Sequence, residues 1–361
     1  MKNRITWLSI LALAVLLATP AQGQSIEETL QDLVSENAKG YLGPFATGFG
    51  TGMNSGTFRT AKPHKILGFD LTLNFTSIPI PDADLTYDFY FPDQVDFPFE
   101  ISEEITPWPA GVSRTVTVPL NGASLYPGDR TSATFFGANE EYLIQPDAEY
   151  AKLTTEAKLS DLGVDETVIT LLSSAIATSI DDNLTITTPP GIDFPSVFTL
   201  MPQASVGLPF ETELTLGGFT VPIGDSDEDL SFSRFGVKIG LNQFIPTIPL
   251  IFPAISAGFY SSSMDLAGII TAKNTILTLQ ASKSVPMLTV YGGFGIESSS
   301  IKVNVDDPNT GENLFKFSLS GDNSFRTIIG FRLKLLVLSI NADYNIGEYS
   351  AVSAGIGLTL R

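Results

Sequence analysis

An all-β fold, a transmembrane antiparallel β-barrel of about 12–14 strands, is what this sequence predicts. Three observations carry that expectation. The C-terminal stretch Phe325 to Arg361 alternates apolar and polar residues through three successive segments. The chain opens on an export leader. It is also apolar-rich, with 43% hydrophobic and only 16% charged residues, yet no long uncharged apolar run follows the leader to make a membrane helix.

The leader is Met1 to Gly23, read as a secretory signal peptide. Lys2 and Arg4 supply its charge, Trp7 to Ala18 its apolar run, and Ala21-Gln22-Gly23 its small-residue cleavage site. The chain has 0 Cys, which excludes disulfides, thiolate metal sites and cysteine nucleophiles. An exported chain without disulfides suits a bacterial envelope protein located in the outer membrane. Loss of the leader removes two basic residues and no acidic ones, leaving 18 Lys and Arg against 39 Asp and Glu. That acidity argues against nucleic acid as a partner.

Residues 24–60 follow as an N-terminal helix and a plug-like segment. Ser25 to Ala38 fits a short helix whose Ile26, Leu30, Leu33 and Val34 share one face. Gly40 to Gly56 is glycine-rich and carries Tyr41, Phe45 and Phe49. It lacks the Lys-Ser/Thr ending of a phosphate loop. Two readings stand for it: a plug in the barrel mouth or lumen, or a flexible lead-in to the first strand.

The barrel itself is expected over residues 61–361. Ile66 to Thr76 is its first convincing strand, and Leu85 to Phe91 alternates before Pro92. An insert at about 92–197 is irregular, with strand-like pieces at Arg114 to Leu120 and Thr131 to Phe136. It also holds a helix between Asp165 and Ser179. The simplest reading is an external cap or long surface loops; a separate soluble domain is the other. From Phe198 onward strands and turns recur densely, with turn signals at Asp225-Ser226-Asp227, Lys283 to Pro286 and Asp306 to Gly311. Between Leu335 and Leu338 the parity switches without Gly, Asn or Pro, so a tight turn or bulge is inferred there from parity alone.

The Gly-rich entry, Thr60-Ala61-Lys62-Pro63-His64-Lys65, Gly68-Phe69-Asp70, Thr289-Val290-Tyr291-Gly292-Gly293 and the meander together carry a resemblance. They resemble an uncharacterised family of bacterial outer-membrane-type β-barrel proteins, across most of the mature chain. More loosely, a plug followed by an apolar-belted barrel is similar to the plan of long-chain fatty-acid transporters. The resemblance implies a transport barrel, and it transfers no functional residue.

Enzyme chemistry is not expected. His64, the only histidine, lies between Pro63 and Lys65 with no serine nucleophile motif. The acidic runs Asp225 to Asp229, Asp306-Asp307 and Asp181-Asp182-Asn183 lack the spacing of a calcium loop, so no metal and no cofactor is expected. The informative polar residues share the parity of the small lumen-side neighbours: Arg234, Lys238, Arg326, Arg332 and Lys334, with Asp70, Glu213, Glu297 and Asp343. They either pair across a narrow lumen or form a polar track for a solute or carboxylate headgroup, to which arginine binds through two hydrogen bonds. The partners expected are outer-membrane lipid, the outer-membrane assembly machinery through the C-terminal strand, and a hydrophobic small-molecule ligand. The leading function is a channel or transporter for a small hydrophobic or amphipathic molecule. A structural or surface-interaction barrel, and a soluble periplasmic lipid-binding β-protein, are the alternatives.

Overall fold

The computed structural model describes residues 24–222, 229–244, 252–306 and 313–360. The leader, Asp225-Ser226-Asp227 and residues 307–311 of the Asp306 turn lie outside the described residues. The chain divides into two compact units. One joins the described residues up to Tyr41 with Thr86–Asp193; the other joins Leu42–Leu85 with Phe194–Arg361.

The first element, α1, runs over Gln24–Met53, 30 residues rather than the short helix expected, and continues through Pro44 and the glycine-rich stretch. Strand β1, Phe69–Pro79, follows. The insert then contributes β2 (Thr86–Asp88), β3 (Gln94–Glu100), β4 (Thr115–Asn121), α2 (Gly122–Leu125), β5 (Thr131–Ala133), β6 (Leu143–Ile144), α3 (Ala148–Asp161), α4 (Glu166–Leu184) and β7 (Ile186–Thr187). The second half of the chain is strand after strand: β8 (Ser196–Leu208), β9 (Thr212–Pro222), β10 (Asp229–Gly240), β11 (Ala254–Leu266) and β12 (Ile270–Val285). It ends with β13 (Leu288–Asp306), β14 (Asn313–Ser320), β15 (Phe325–Leu335), β16 (Leu338–Ile346) and β17 (Ala351–Leu360).

Ten of these strands close a ring, β1-β8-β9-β10-β11-β12-β13-β15-β16-β17, with β14 appended to β13. The last strand seals it against the first, from Phe69↔Leu360 to Ser77↔Val352, antiparallel. The count is ten, not 12–14, because the alternating pieces between 86 and 133 pair only among themselves, β2 with β5 and β3 with β4. The hairpin inferred from parity is present: Leu335 pairs with Leu338 across a two-residue turn. Leu336 there takes φ 59, and Met287 takes φ 69 in the matching turn between β12 and β13.

Sidedness follows the membrane rule, in which lipid solvates the outer face. On β17, Val352, Ile356, Leu358 and Leu360 are exposed, whereas Ala351, Ser353 and Thr359 are buried. On β1, Phe69, Leu71, Leu73 and Phe75 point out, and Asp70, Thr72, Asn74 and Thr76 are buried inside.

The insert's unit is built the other way round. Phe97, Val118, Leu120, Leu159, Ile176 and Ile180 form a fully buried apolar core. The helix expected over Asp165 to Ser179 is α4, which the Asp165 carboxylate caps by accepting from the Thr167 N–H at 2.9 Å. The Tyr126 hydroxyl donates to the Leu184 carbonyl at 2.7 Å, and burial raises its pKa. The stretch read as a cap or long loops is thus a compact unit with its own core.

Candidate functional site

The barrel lumen is the candidate site, and the chain itself occupies it. Residues 42–53 of α1 and the segment from Asn54 to Lys65 contact strand after strand of the inner wall. Glycines make the close approach of the helix feasible. A Cβ on Gly50 would lie 2.4 Å from Ser299 Cβ, and one on Gly52 would lie 2.5 Å from Thr199 Cγ2. Helix propensity alone disfavours so many glycines; packing against a close wall overrides it here, which explains the extra length of α1.

The helix ends where the wall supplies partners for its last carbonyls, which no helical N–H reaches. Arg326 Nη2 donates to the Thr51 carbonyl at 3.1 Å. Arg234 Nη2 donates to the Met53 carbonyl and, at 3.1 Å, to that of Ser55. Two cations at a helix C-terminus also complement its dipole. Gly56 then takes φ +62, the left-handed turn that glycine accepts without strain.

Beyond the helix the segment is pinned by buried ion pairs. The Asn54 amide donates to Glu297 Oε2 at 2.9 Å, and Glu297 pairs with Arg326 at 2.9 Å. Arg326 Nη1 reaches Ser55 Oγ at 2.7 Å. Arg59 pairs with Asp70 at 2.7 Å, and His64 Nε2 meets the other Asp70 oxygen at 2.9 Å. The His64 backbone N–H donates to Glu213 Oε2 at 3.0 Å, while Lys238 bridges Glu213 at 2.7 Å and the Thr60 carbonyl at 3.1 Å. One apolar island interrupts this network: Phe58 packs among Tyr260, Ile276, Tyr291 and Ile328, with its ring 5.7 Å from that of Tyr291.

Of the five cations expected on the lumen side, four are buried there: Arg234, Lys238, Arg326 and Arg332. Lys238 and Arg326 form carboxylate pairs. Arg332 hydrogen-bonds Thr359 Oγ1. Arg234 meets neutral oxygens, Gln203 Oε1 at 2.8 Å and Ser262 Oγ at 3.0 Å among them. Lys334 shares their parity but is only half-buried, beside the turn at 336–337. Phe45 and Phe49 stack at 5.6 Å within the barrel unit. Tyr41 is a correction to the plug set: it belongs to the insert's unit, where its hydroxyl donates to the Pro190 carbonyl at 2.9 Å and its ring stands edge-on to Phe135. Sequence reasoning missed Arg59, Asn54 and Phe58, whose roles come from threading the lumen. A lone Arg five residues before the only histidine was their one visible sign.

A closed antiparallel β-barrel, apolar outside and polar inside, with its lumen occupied by its own N-terminal segment, is therefore the class of protein. The chain belongs to the family of unknown function DUF6588, whose model matches residues 1–360. Among solved structures it is similar to OmpT, an outer membrane protein of Vibrio cholerae, in its in-vitro folded trimer form. That likeness has 12% identity over 44% of this chain and 55% of that one, with a TM-score of 0.23. A second structure of in-vitro folded OmpT matches at 14% identity over 45% of this chain and 54% of that chain, also with a TM-score of 0.23. The chain thus spans about half the length of those relatives. No curated protein matches it.

Proposed function

We propose that this chain is a bacterial outer-membrane transport barrel for a small hydrophobic or amphipathic molecule, closed at rest by residues 42–65 and opened when they shift. The observation that carries this reading is a wall more polar than its plug requires. Small closed barrels that serve as cores fill with interlocking side chains. Here Thr72, Asn74 and Asn274 face inward, buried, with side-chain amide or hydroxyl atoms that no protein group satisfies. Such a wall suits a lumen that solvent or solute enters. In this reading outer-membrane lipid surrounds the apolar belt, the assembly machinery reads the last strand, and the protein is not an enzyme.

The test uses the absence of native cysteines. Gly52→Cys with Thr199→Cys places two thiols at the helix–wall contact. In planar bilayers the oxidised protein should conduct at least tenfold less than the same protein after reductant. Equal conductance in the two states would show that the segment does not move. A structural or interaction barrel is the second reading, favoured by the separate apolar core of the insert.

A further inference from the structure

The buried charges of the lumen do not balance. Among the described residues, Arg59, Arg234, Lys238, Arg326 and Arg332 are buried there against Asp70, Glu213, Glu297 and Asp343, and His64 adds charge only when protonated. The four carboxylates are also fully engaged. Asp70 accepts from Arg59 through Oδ1 and meets His64 through Oδ2. Glu213 takes Lys238 on Oε1 and the His64 backbone N–H on Oε2. Glu297 takes Arg326 on Oε1 and Asn54 on Oε2. Asp343 takes Asn345 on Oδ1 and the Tyr291 hydroxyl on Oδ2. Every one of these carboxylate oxygens thus has its donor.

Donors are left over, and they gather at one place. Arg59 Nε and Nη1 and Arg332 Nε are buried without a protein acceptor. Arg59 is held by Asp70 and Arg332 by Thr359. Asp70 and Thr359 are cross-strand partners where the first strand closes on the last. Residues opposite each other in an antiparallel pair are near neighbours on one face. The plug's Arg59 and the wall's Arg332 are therefore brought side by side, close enough to repel. Thr72, next on the inward face of β1, adds an unpaired hydroxyl. Asp70 and Glu213 attract both guanidiniums, but their engaged oxygens offer no acceptor to the leftover N–H groups. Arg234, the other cation without a carboxylate, differs: it lies on the carbonyls that end the helix.

We infer that Arg59 and Arg332 form a binding site for one small inorganic anion, of the size of chloride, which ties the plug to the closing joint of the barrel. One negative charge offsets the one surplus positive charge, and a buried charge left without a partner is costly. Guanidinium N–H groups form strong, charge-assisted hydrogen bonds to anions. Arg59 is 4% exposed and Arg332 6%, so an occupant enclosed between them carries no long tail. The site does not depend on the transport reading; it concerns what holds the segment in place.

Heat unfolding in a non-ionic detergent tests this, with sodium gluconate exchanged for sodium chloride at constant ionic strength so that screening is unchanged. The midpoint should rise and then level off, by about 3 °C or more at saturation, as for any ligand that binds only the folded state. Arg332→Gln removes the repelling charge and strands no carboxylate. It should raise the midpoint in gluconate and abolish the response to chloride. Lys334→Gln, half-buried on the same strand, should keep the full response. Chloride NMR gives a second reading that does not need the variant to fold: the line should broaden with the intact protein and narrow again when bromide competes. A chloride response retained in Arg332→Gln, or one that never saturates, would overturn the site. So would a chloride line that the intact protein leaves sharp. A midpoint raised by dodecanoate but not by chloride would also overturn it, and would give the two arginines to an amphiphile's headgroup instead. The conductance test of the plug is read separately from all of these.

Discussion

Strands β4 and β17 have the same alternation and opposite destinies. In β4, Val116, Val118 and Leu120 are buried, and Thr115, Thr117, Pro119 and Asn121 alternate with them as exposed residues. In β17, Val352, Ile356, Leu358 and Leu360 are exposed, and Ala351, Ser353 and Thr359 are buried. Period-two hydropathy records only that the two faces meet different media. Which medium is outside is written in the other face. The second face of β4 is Thr115, Thr117, Pro119 and Asn121, all of which tolerate water. The second face of β17 includes Gly355 and Gly357, where a Cβ would lie 2.5 Å from Asn74 Oδ1 and 2.4 Å from the Leu71 carbonyl. Small residues there record a crowded interior.

Substitutions can break this contrast, and the largest effect belongs to the lumen. Arg326→Ala strands Glu297 as a buried, unpaired charge, which costs about 3–5 kcal/mol; urea unfolding from detergent should show that loss together with a raised basal conductance. Leu120→Ala, at 0% exposure in the insert's core, should cost about 2–5 kcal/mol, with a cavity left behind. The same truncation at Leu358, half exposed on the outer face, should cost under about 1 kcal/mol in detergent, since only a partly buried side chain is lost. Ile356→Lys should cost about 2–4 kcal/mol if that face lies at the bilayer midplane, read as loss of the heat-sensitive compact gel band. Equal behaviour of Leu120→Ala and Leu358→Ala would mean that both faces see the same medium. A small effect is expected of Asp165→Ala, about 1 kcal/mol from a lost helix cap, confined to the insert and measured by helix content on heating.

Much of the barrel was legible because its strands are long and its parity strict. Even the 336–337 turn, with no turn residue, followed from a switch of faces. The strand number was not legible, since the pieces near 95 and 118 alternate as regularly as any wall strand. The helix through Gly40 to Gly52 was hidden for another reason: glycine argues against a helix until a neighbour too close for a Cβ requires it, as Ser299 does at Gly50 and Thr199 at Gly52. Of the lumen cations, burial followed from parity, but partner choice did not. Arg326 and Arg234 share a face by sequence, yet one finds Glu297 and the other the carbonyls of Met53 and Ser55.

The pairing of the first strand with the last fixes an order of events. The ring shuts only when the stretch from Val352 to Leu360 reaches that from Phe69 to Ser77. A helix of 30 residues is about 45 Å long and about 10 Å across with its side chains. Once the ring is shut, residues 42–65 would have to be drawn in endwise past a wall that contacts them on every side. Seating them while the sheet is still an open ribbon avoids that barrier, so the sheet wraps around a helical and irregular segment of its own chain. The result is a threaded segment locked by closure, with the meeting of the first and last ring strands as the moment at which it tightens.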